Sequence, residues 1–282
     1  MCADQCKIYV NSKGFVLGLR GGWAYAIQAR RQPRRLFPIK GDCVLHNGIC
    51  EDSEGGMYFG EYFMNPRREP VSLWRIFPDL SSWQLVYEFS PSSIRHIHAV
   101  CCDPYDPETF WVTVGDTNGE CFIVSTRDRF NSLTFYGDGT QTWRAVSLFF
   151  TEHHICWLTD SETEQNYACR MDRVSGKLEI GQPMDCSTWY GATTVEGLHI
   201  ALTTVEDGAS IKSKFSSIMV SKDAFVWHQV YKFKKGFFRP NNIFKPGVIY
   251  IPTGKISAQK LYLSGQALLG FDGISMALRI IV

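Results

Sequence analysis

The sequence predicts an all-β fold, a β-propeller of four-stranded blades. Six blades are expected, or five if an end copy only completes its neighbour, in a single domain over residues 1–282. Three observations lead there. The chain holds 19 Phe, 12 Tyr and 8 Trp with 24 Gly and 12 Pro, a mixture that favours strands and tight turns over helices. One order recurs along the chain: an apolar strand, a turn, a second strand ending in a small residue plus an acid, a third strand, an Asp turn and a fourth strand. The Asp markers Asp79, Asp128, Asp172 and Asp223 recur at spacings of 49, 44 and 51 residues. Those spacings are close to the roughly 40–50 residues of one propeller blade.

The copies follow in order. Cys6 to Ile39 supplies four short strands around Phe15–Leu19 and Trp23–Ile27. The second copy holds Gly48–Cys50, Met57–Glu61, Ser72–Ile76 and Trp83–Tyr87. The clearest copy begins at Arg95, with Arg95–Cys102, the turn Asp103–Pro107, then Phe110–Val114 closed by Gly115-Asp116. Cys121–Ser125 and Leu133–Tyr136 complete it. The fourth copy opens at Trp143-Arg144 and continues through Ile155–Asp160, Tyr167–Met171 and Lys177–Ile180. The fifth opens at Trp189-Tyr190, with His199–Thr204, Ser217–Val220 and Trp227–Tyr231. Asn241 to Val282 adds Val248–Ile251, Lys260–Leu263 and a less regular tail.

Composition removes several classes. With 29 Lys+Arg against 28 Asp+Glu the formal charge is +1. A nucleic-acid binder or an acidic tail needs a much stronger field. No apolar run approaches the roughly 18 residues of a membrane helix. Met1 to Tyr9 carries Asp4 and Lys7 and lacks the apolar stretch of a signal peptide, so the expected location is cytoplasmic. Ten Cys occur without a CxxC pair, which argues against structural zinc, and Cys121, Cys156 and Cys169 alternate within apolar strands as reduced core residues. The cluster Arg30–Arg35 reads as a solvated turn, and Gly18–Gly22 lacks the helix a phosphate loop requires.

In a propeller the first strand of each blade lines the channel, and the second ends at the same face. First-strand starts bring Arg95, His96, His98, Trp143, Arg144, Trp189, Tyr190 and Asn242 toward that face, with His46 and Asn47. Second-strand ends bring Glu61, Asp116 and Asp160. Polar groups converging in a concavity mark a ligand site. The chemistry suits an acidic saccharide. Trp143, Trp189 and Tyr190 offer flat apolar faces, Arg95 and Arg144 can grip a carboxylate, and Asn242 adds an amide. His96, His98, Asp116, Asp160 and Glu61 are the candidate catalytic groups, as acids, bases or hydrogen-bond partners. Glycoside hydrolysis would need two carboxyls, about 5–5.5 Å apart for retention or about 6.5–9.5 Å for inversion.

Each element also has a plainer role. The aromatics can pack between blades, Asp116 and Asp160 can cap turns, and the His pair can be satisfied core residues. No cofactor is required. His96 and His98 share one strand face, and with Asp116 they match the ligand chemistry of Zn, Mn or Fe, as the lesser alternative. The competing functional class is a non-catalytic propeller that binds a glycan or a protein through the same face.

Arg95–Val100, Asp103-Pro104, Trp111–Asp116 and Thr142–Val146 together resemble sialidase-like propellers of the BNR-repeat type. Uncharacterised members of that group accompany bacterial surface-polysaccharide genes. The resemblance is strongest over Arg95 to Asp160 and implies a propeller with glycan-related work. The repeat signature Ser-x-Asp-x-Gly-x-Thr-Trp survives only in fragments, at Ser125–Phe135 and at Ser221–Asp223 before Trp227. In the family's terms Arg95 and Arg144 stand where arginines would act, and Tyr190 with Glu206 or Glu61 would form the nucleophile pair. No local motif assigns sialidase activity.

Overall fold

A computed structural model describes residues 6–41, 48–236 and 246–281. It shows a six-bladed β-propeller of mostly four-stranded antiparallel blades. Each sheet pairs strands in sequence order. The first blade comprises β1 (Lys7–Val10), β2 (Val16–Arg20), β3 (Trp23–Ile27) and β4 (Arg34–Pro38); the second comprises β5 (Ile49–Glu51), β6 (Met57–Gly60), β7 (Val71–Ile76) and β8 (Trp83–Phe89). The third has β9 (Ile97–Asp103), β10 (Asp106–Val114), β11 (Cys121–Thr126) and β12 (Thr134–Gly139), followed by a 3-10 turn at Gln141–Trp143. The fourth and fifth run through β13 (Ala145–Phe150), β14 (His154–Thr159), β15 (Asn166–Asp172) and β16 (Leu178–Met184), then β17 (Ser187–Thr193), β18 (His199–Thr204), β19 (Phe215–Ser221) and β20 (His228–Lys234). The sixth shows three strands among the described residues: β21 (Val248–Tyr250), β22 (Leu261–Gln266) and β23 (Ser275–Leu278). No described helix is long and apolar enough to cross a membrane.

The chain divides into two compact units, Met1–Arg144 and Ala145–Val282. In the first, Leu17, Leu19, Phe37, Met57, Phe59 and Ile76 fill the space between blades one and two. Tyr58, Leu73, Ile97, Val100, Phe110 and Val112 fill the next interval. In the second unit Phe149, Cys156, Leu158, Ala201, Met219 and Trp227 form one such layer. Ile200, Leu202, Ile218, Ile249, Leu261 and Phe271 form the other. Strands covered on both faces are buried throughout, as in the apolar β6 and in β18, where Ile200, Ala201 and Leu202 are flanked by buried His199, Thr203 and Thr204. Outer strands such as β8 and β20 are largely exposed. Burying each large apolar side chain contributes roughly 1.5–3 kcal/mol.

The four Asp markers occupy equivalent turns between third and fourth strands. Asp79 accepts from the Ser81 N–H at 3.0 Å and Asp128 from that of Ser132 at 2.9 Å. Asp172 accepts from Ser175 at 2.7 Å and Asp223 from Val226 at 2.8 Å. A short acceptor that closes the turn on itself explains the periodic Asp better than any ligand role.

Candidate functional site

Five of the expected site residues meet around one carboxylate, all within the first unit. Asp116 follows β10, and Arg95 and His96 lead into β9, where His98 is the second residue. Arg144 follows the 3-10 turn. Asp116 Oδ1 lies 3.2 Å from His96 Nε2, 3.1 Å from His98 Nε2 and 3.2 Å from Arg144 Nη2. Asp116 Oδ2 accepts from Arg95 Nη1 at 2.9 Å. His96 and His98 are each 2% exposed, while the Asp116 and Arg95 side chains keep 11% and 22%. The open side of the cluster is therefore at Arg95 and Asp116.

Local structure explains how the carboxylate is held. The β10–β11 connection turns at Gly115, whose φ is +84°. Glu120 ties that turn together. Its Oε1 accepts the N–H groups of Asp116 at 3.1 Å and Thr117 at 2.9 Å, and Arg68 Nε donates to its Oε2 at 2.7 Å. Gln141 Nε2 donates to the Asp116 carbonyl at 2.9 Å. Both imidazoles are oriented by backbone carbonyls. His96 Nδ1 donates to Phe63 at 2.9 Å, and His98 Nε2 donates to Gly115 at 2.9 Å. The half-buried Tyr62 ring packs on His96 with centroids 4.0 Å apart. Asn65 donates to the Arg95 carbonyl at 2.8 Å and steadies the approach to β9.

The electrostatics follow from burial and these neighbours. Burial pulls the Asp116 carboxyl upward, but the His96 and His98 imidazoles outweigh it and hold the group well below the usual carboxylate range. Burial pushes the His98 ring downward, with His96 and Arg144 adding to the effect against Asp116. One donor atom from each of His96, His98 and Asp116 lies within 4.8 Å of the others.

The remaining expected residues are placed otherwise. Glu61 is buried, and its oxygens accept from the Lys40 N–H at 2.9 Å, the Ser72 N–H at 3.0 Å and the Trp74 indole at 3.3 Å. It brackets strands and has no open carboxylate edge for acid–base work. Asp160, in the second unit, is buried and accepts from the Trp189 indole at 2.9 Å, so both side chains are engaged with each other. Trp143 is 7% exposed, and its ring lies where a Cβ on Gly137 would sit 2.6 Å away. Tyr190 belongs to the core layer of the second unit and packs at a tilt against Tyr250, ring centroids 5.2 Å apart. The aromatic faces of Trp143 and Tyr190 are thus spent on packing. Glu206 accepts from the Ser187 hydroxyl at 2.5 Å. Asn242, His46 and Asn47 lie outside the described residues.

The sequence reading missed Tyr62, Asn65, Arg68, Glu120 and Gln141. Tyr62 was within reach, since it follows Glu61 at a second-strand end. Glu120 was also within reach, four residues from Asp116, whereas Asn65, Arg68 and Gln141 act on partners 30, 52 and 25 residues away.

The sequence matches no protein-family model and no curated protein. Solved structures match in fold. A protein described as TolB from Agrobacterium tumefaciens aligns with a TM-score of 0.56 at 11% identity, covering 82% of each chain. A nidogen/laminin complex aligns at 0.55 and 10% identity, covering 89% of this chain and 85% of that one. A structure described as oligogalacturonate lyase in complex with manganese aligns at 0.55 and 8% identity, covering 88% and 74%. At these identities the likeness is one of fold. It lends no support to the sialidase-type resemblance, which is strongest over Arg95–Asp160.

Proposed function

We propose that the protein recognises an acidic saccharide at the Arg95–His96–His98–Asp116–Arg144 cluster. One observation carries this reading: two guanidiniums and two imidazoles share a single carboxylate, which leaves the site with surplus positive charge. Such a site favours an anionic ligand, and a sugar carboxylate suits the planar donors of Arg95 and Arg144. The same geometry speaks against hydrolysis by paired carboxyls, because Glu61 and Asp160 are already hydrogen-bonded and Asp116 is held by cations. In a titration with an oligogalacturonate and its neutral galactose counterpart, the acidic chain should bind and the neutral one should not. Arg95→Ala should weaken the acidic complex at least about tenfold, as expected for loss of a charge-assisted pair. Equal binding of the two sugars would remove the proposal.

A second reading has its own support. His96 Nδ1 donates to the Phe63 carbonyl, and the buried Nε2, 3.2 Å from Asp116 Oδ1, would carry the lone pair of a base. Elimination would use it to take the proton α to the sugar carboxylate. The released electron pair forms the ring double bond, and the β-linked oxygen leaves with its bonding electrons. The conjugated product absorbs in the ultraviolet. Turnover would raise that absorbance in the unmodified protein and not in His96→Gln; a flat trace from both would leave recognition without chemistry.

A further inference from the structure

We infer that His96, His98 and Asp116 form a divalent-cation site. In each imidazole one nitrogen donates to a backbone carbonyl, at 2.9 Å to Phe63 and 2.9 Å to Gly115. Metal-ligating histidines are held in this way, with the outer N–H fixing the tautomer and the inner nitrogen left bare. In His96 the bare nitrogen is Nε2, turned to Asp116 Oδ1; in His98 it is Nδ1, while Nε2 is the nitrogen that faces Asp116 Oδ1, at 3.1 Å. Both bare nitrogens are buried without a hydrogen-bond partner, and Asp116 Oδ1 meets only ion-pair contacts, with Arg144 Nη2 at 3.2 Å. Two buried ring nitrogens beside one carboxylate are costly to leave unsatisfied.

The His96–Asp116 pair makes the point sharply. With Nδ1 carrying the hydrogen, Nε2 presents a lone pair to Asp116 Oδ1 across 3.2 Å. Two acceptors at that distance repel unless a proton or a metal ion lies between them; a proton gives the contact that lowers the Asp116 carboxyl, and a metal ion would take the same place. An ion bonded at about 2.0–2.2 Å to each would set neighbouring ligands about 3.0–3.4 Å apart, which spans the observed separation. Two imidazoles and one carboxylate suit Zn²⁺, Mn²⁺ or Fe²⁺ and leave further positions open. Arg95 and Arg144 beside the carboxylate add to the ion's charge, so those open positions would favour an anion over a neutral ligand.

The inference stands apart from the saccharide reading, because its test contains no sugar. The full chain is stripped with chelator and titrated with Zn²⁺, and separately with Mn²⁺, by calorimetry and thermal unfolding. One ion per chain should bind, and the unfolding temperature should rise by several degrees at saturation. His96→Gln, His98→Gln and Asp116→Asn, each checked by circular dichroism for retained strand content, should each lose at least about tenfold in affinity. Should a variant fail to fold, the unmodified protein decides: Zn²⁺ should shift the imidazole nitrogen resonances of His96 and His98 together. Failure of the unmodified protein to take up either ion overturns the site. So do uptake unaffected by the three substitutions and unmoved His96 and His98 resonances.

Discussion

Substituting Gly115 by Ala should unfold the protein at a markedly lower temperature than the same change four residues later at Gly119. Both glycines lie in the β10–β11 turn with positive φ, +84° and +97°. Each would therefore incur the left-handed backbone cost of a Cβ, about 1–2 kcal/mol. Space separates them. A Cβ on Gly115 would lie 1.9 Å from the Glu120 carbonyl oxygen and 2.9 Å from the Cys121 nitrogen, whereas one on Gly119 meets nothing within 4 Å. The obstructing atoms are backbone leading into β11, so they cannot rotate aside as a side chain would. Overpacking of this kind adds about 1–3 kcal/mol. At about 2–4 °C per kcal/mol for a chain of this size class, Gly115→Ala should lower Tm by about 4–20 °C and Gly119→Ala by about 2–8 °C. Paired thermal and urea unfolding of the two variants is the assay, and the difference between them is the quantity to read. Equal losses would refute the reasoning, because they would show that the turn relaxes around the added methyl.

Two further outcomes are expected. Asp128 and Glu196 are held down to about 2 by hydrogen bonds, first from Ser132 and Ser257 respectively. Their folded values lie below the unfolded ones, so the folded chain binds fewer protons in between. Their stabilisation is complete above about pH 4.5 and is lost as the pH falls toward about 2. Urea midpoints should drop across that window, and Asp128→Asn should show a shallower drop; an unchanged slope would contradict the assignment. Burial pushes the Cys156 and Cys169 thiols up to about 12, while Cys6 is exposed. A thiol reagent followed by peptide mapping should label Cys6 in the native protein and the other two only after unfolding.

Blade period was readable because the turn Asp performs a local task, accepting N–H groups two to four residues ahead, and local tasks leave fixed spacings. The gathering of Arg95, His96, His98, Asp116 and Arg144 was readable for a related reason. Repeat position sets which strand ends meet, and period two sets which histidines share a face. The fate of the aromatics was not readable. Trp143 is buried because Gly137 leaves room for its ring, and Tyr190 because Tyr250 lies beside it. A stacking platform and a packed core ring have the same composition in sequence. Glu61 was misleading for the same reason, since its donors come from residues 40, 72 and 74.

The order of strands within each sheet also bears on how the chain reaches its fold. Among the described residues every strand pairing within a sheet joins consecutive strands, so each described sheet can grow by hairpins that close short loops. Such a blade can zip from any of its turns, and the Asp-closed turns between third and fourth strands are ready starting points. The hazard lies in likeness between blades: a strand from one copy resembles its counterpart in the next in length and apolar character. The competing trap during refolding is therefore exchange between adjacent copies, the characteristic failure of repeat chains. Selection against it would act on differences between blades, and the chain has them, in the long β10 of the third blade and the short β5 of the second.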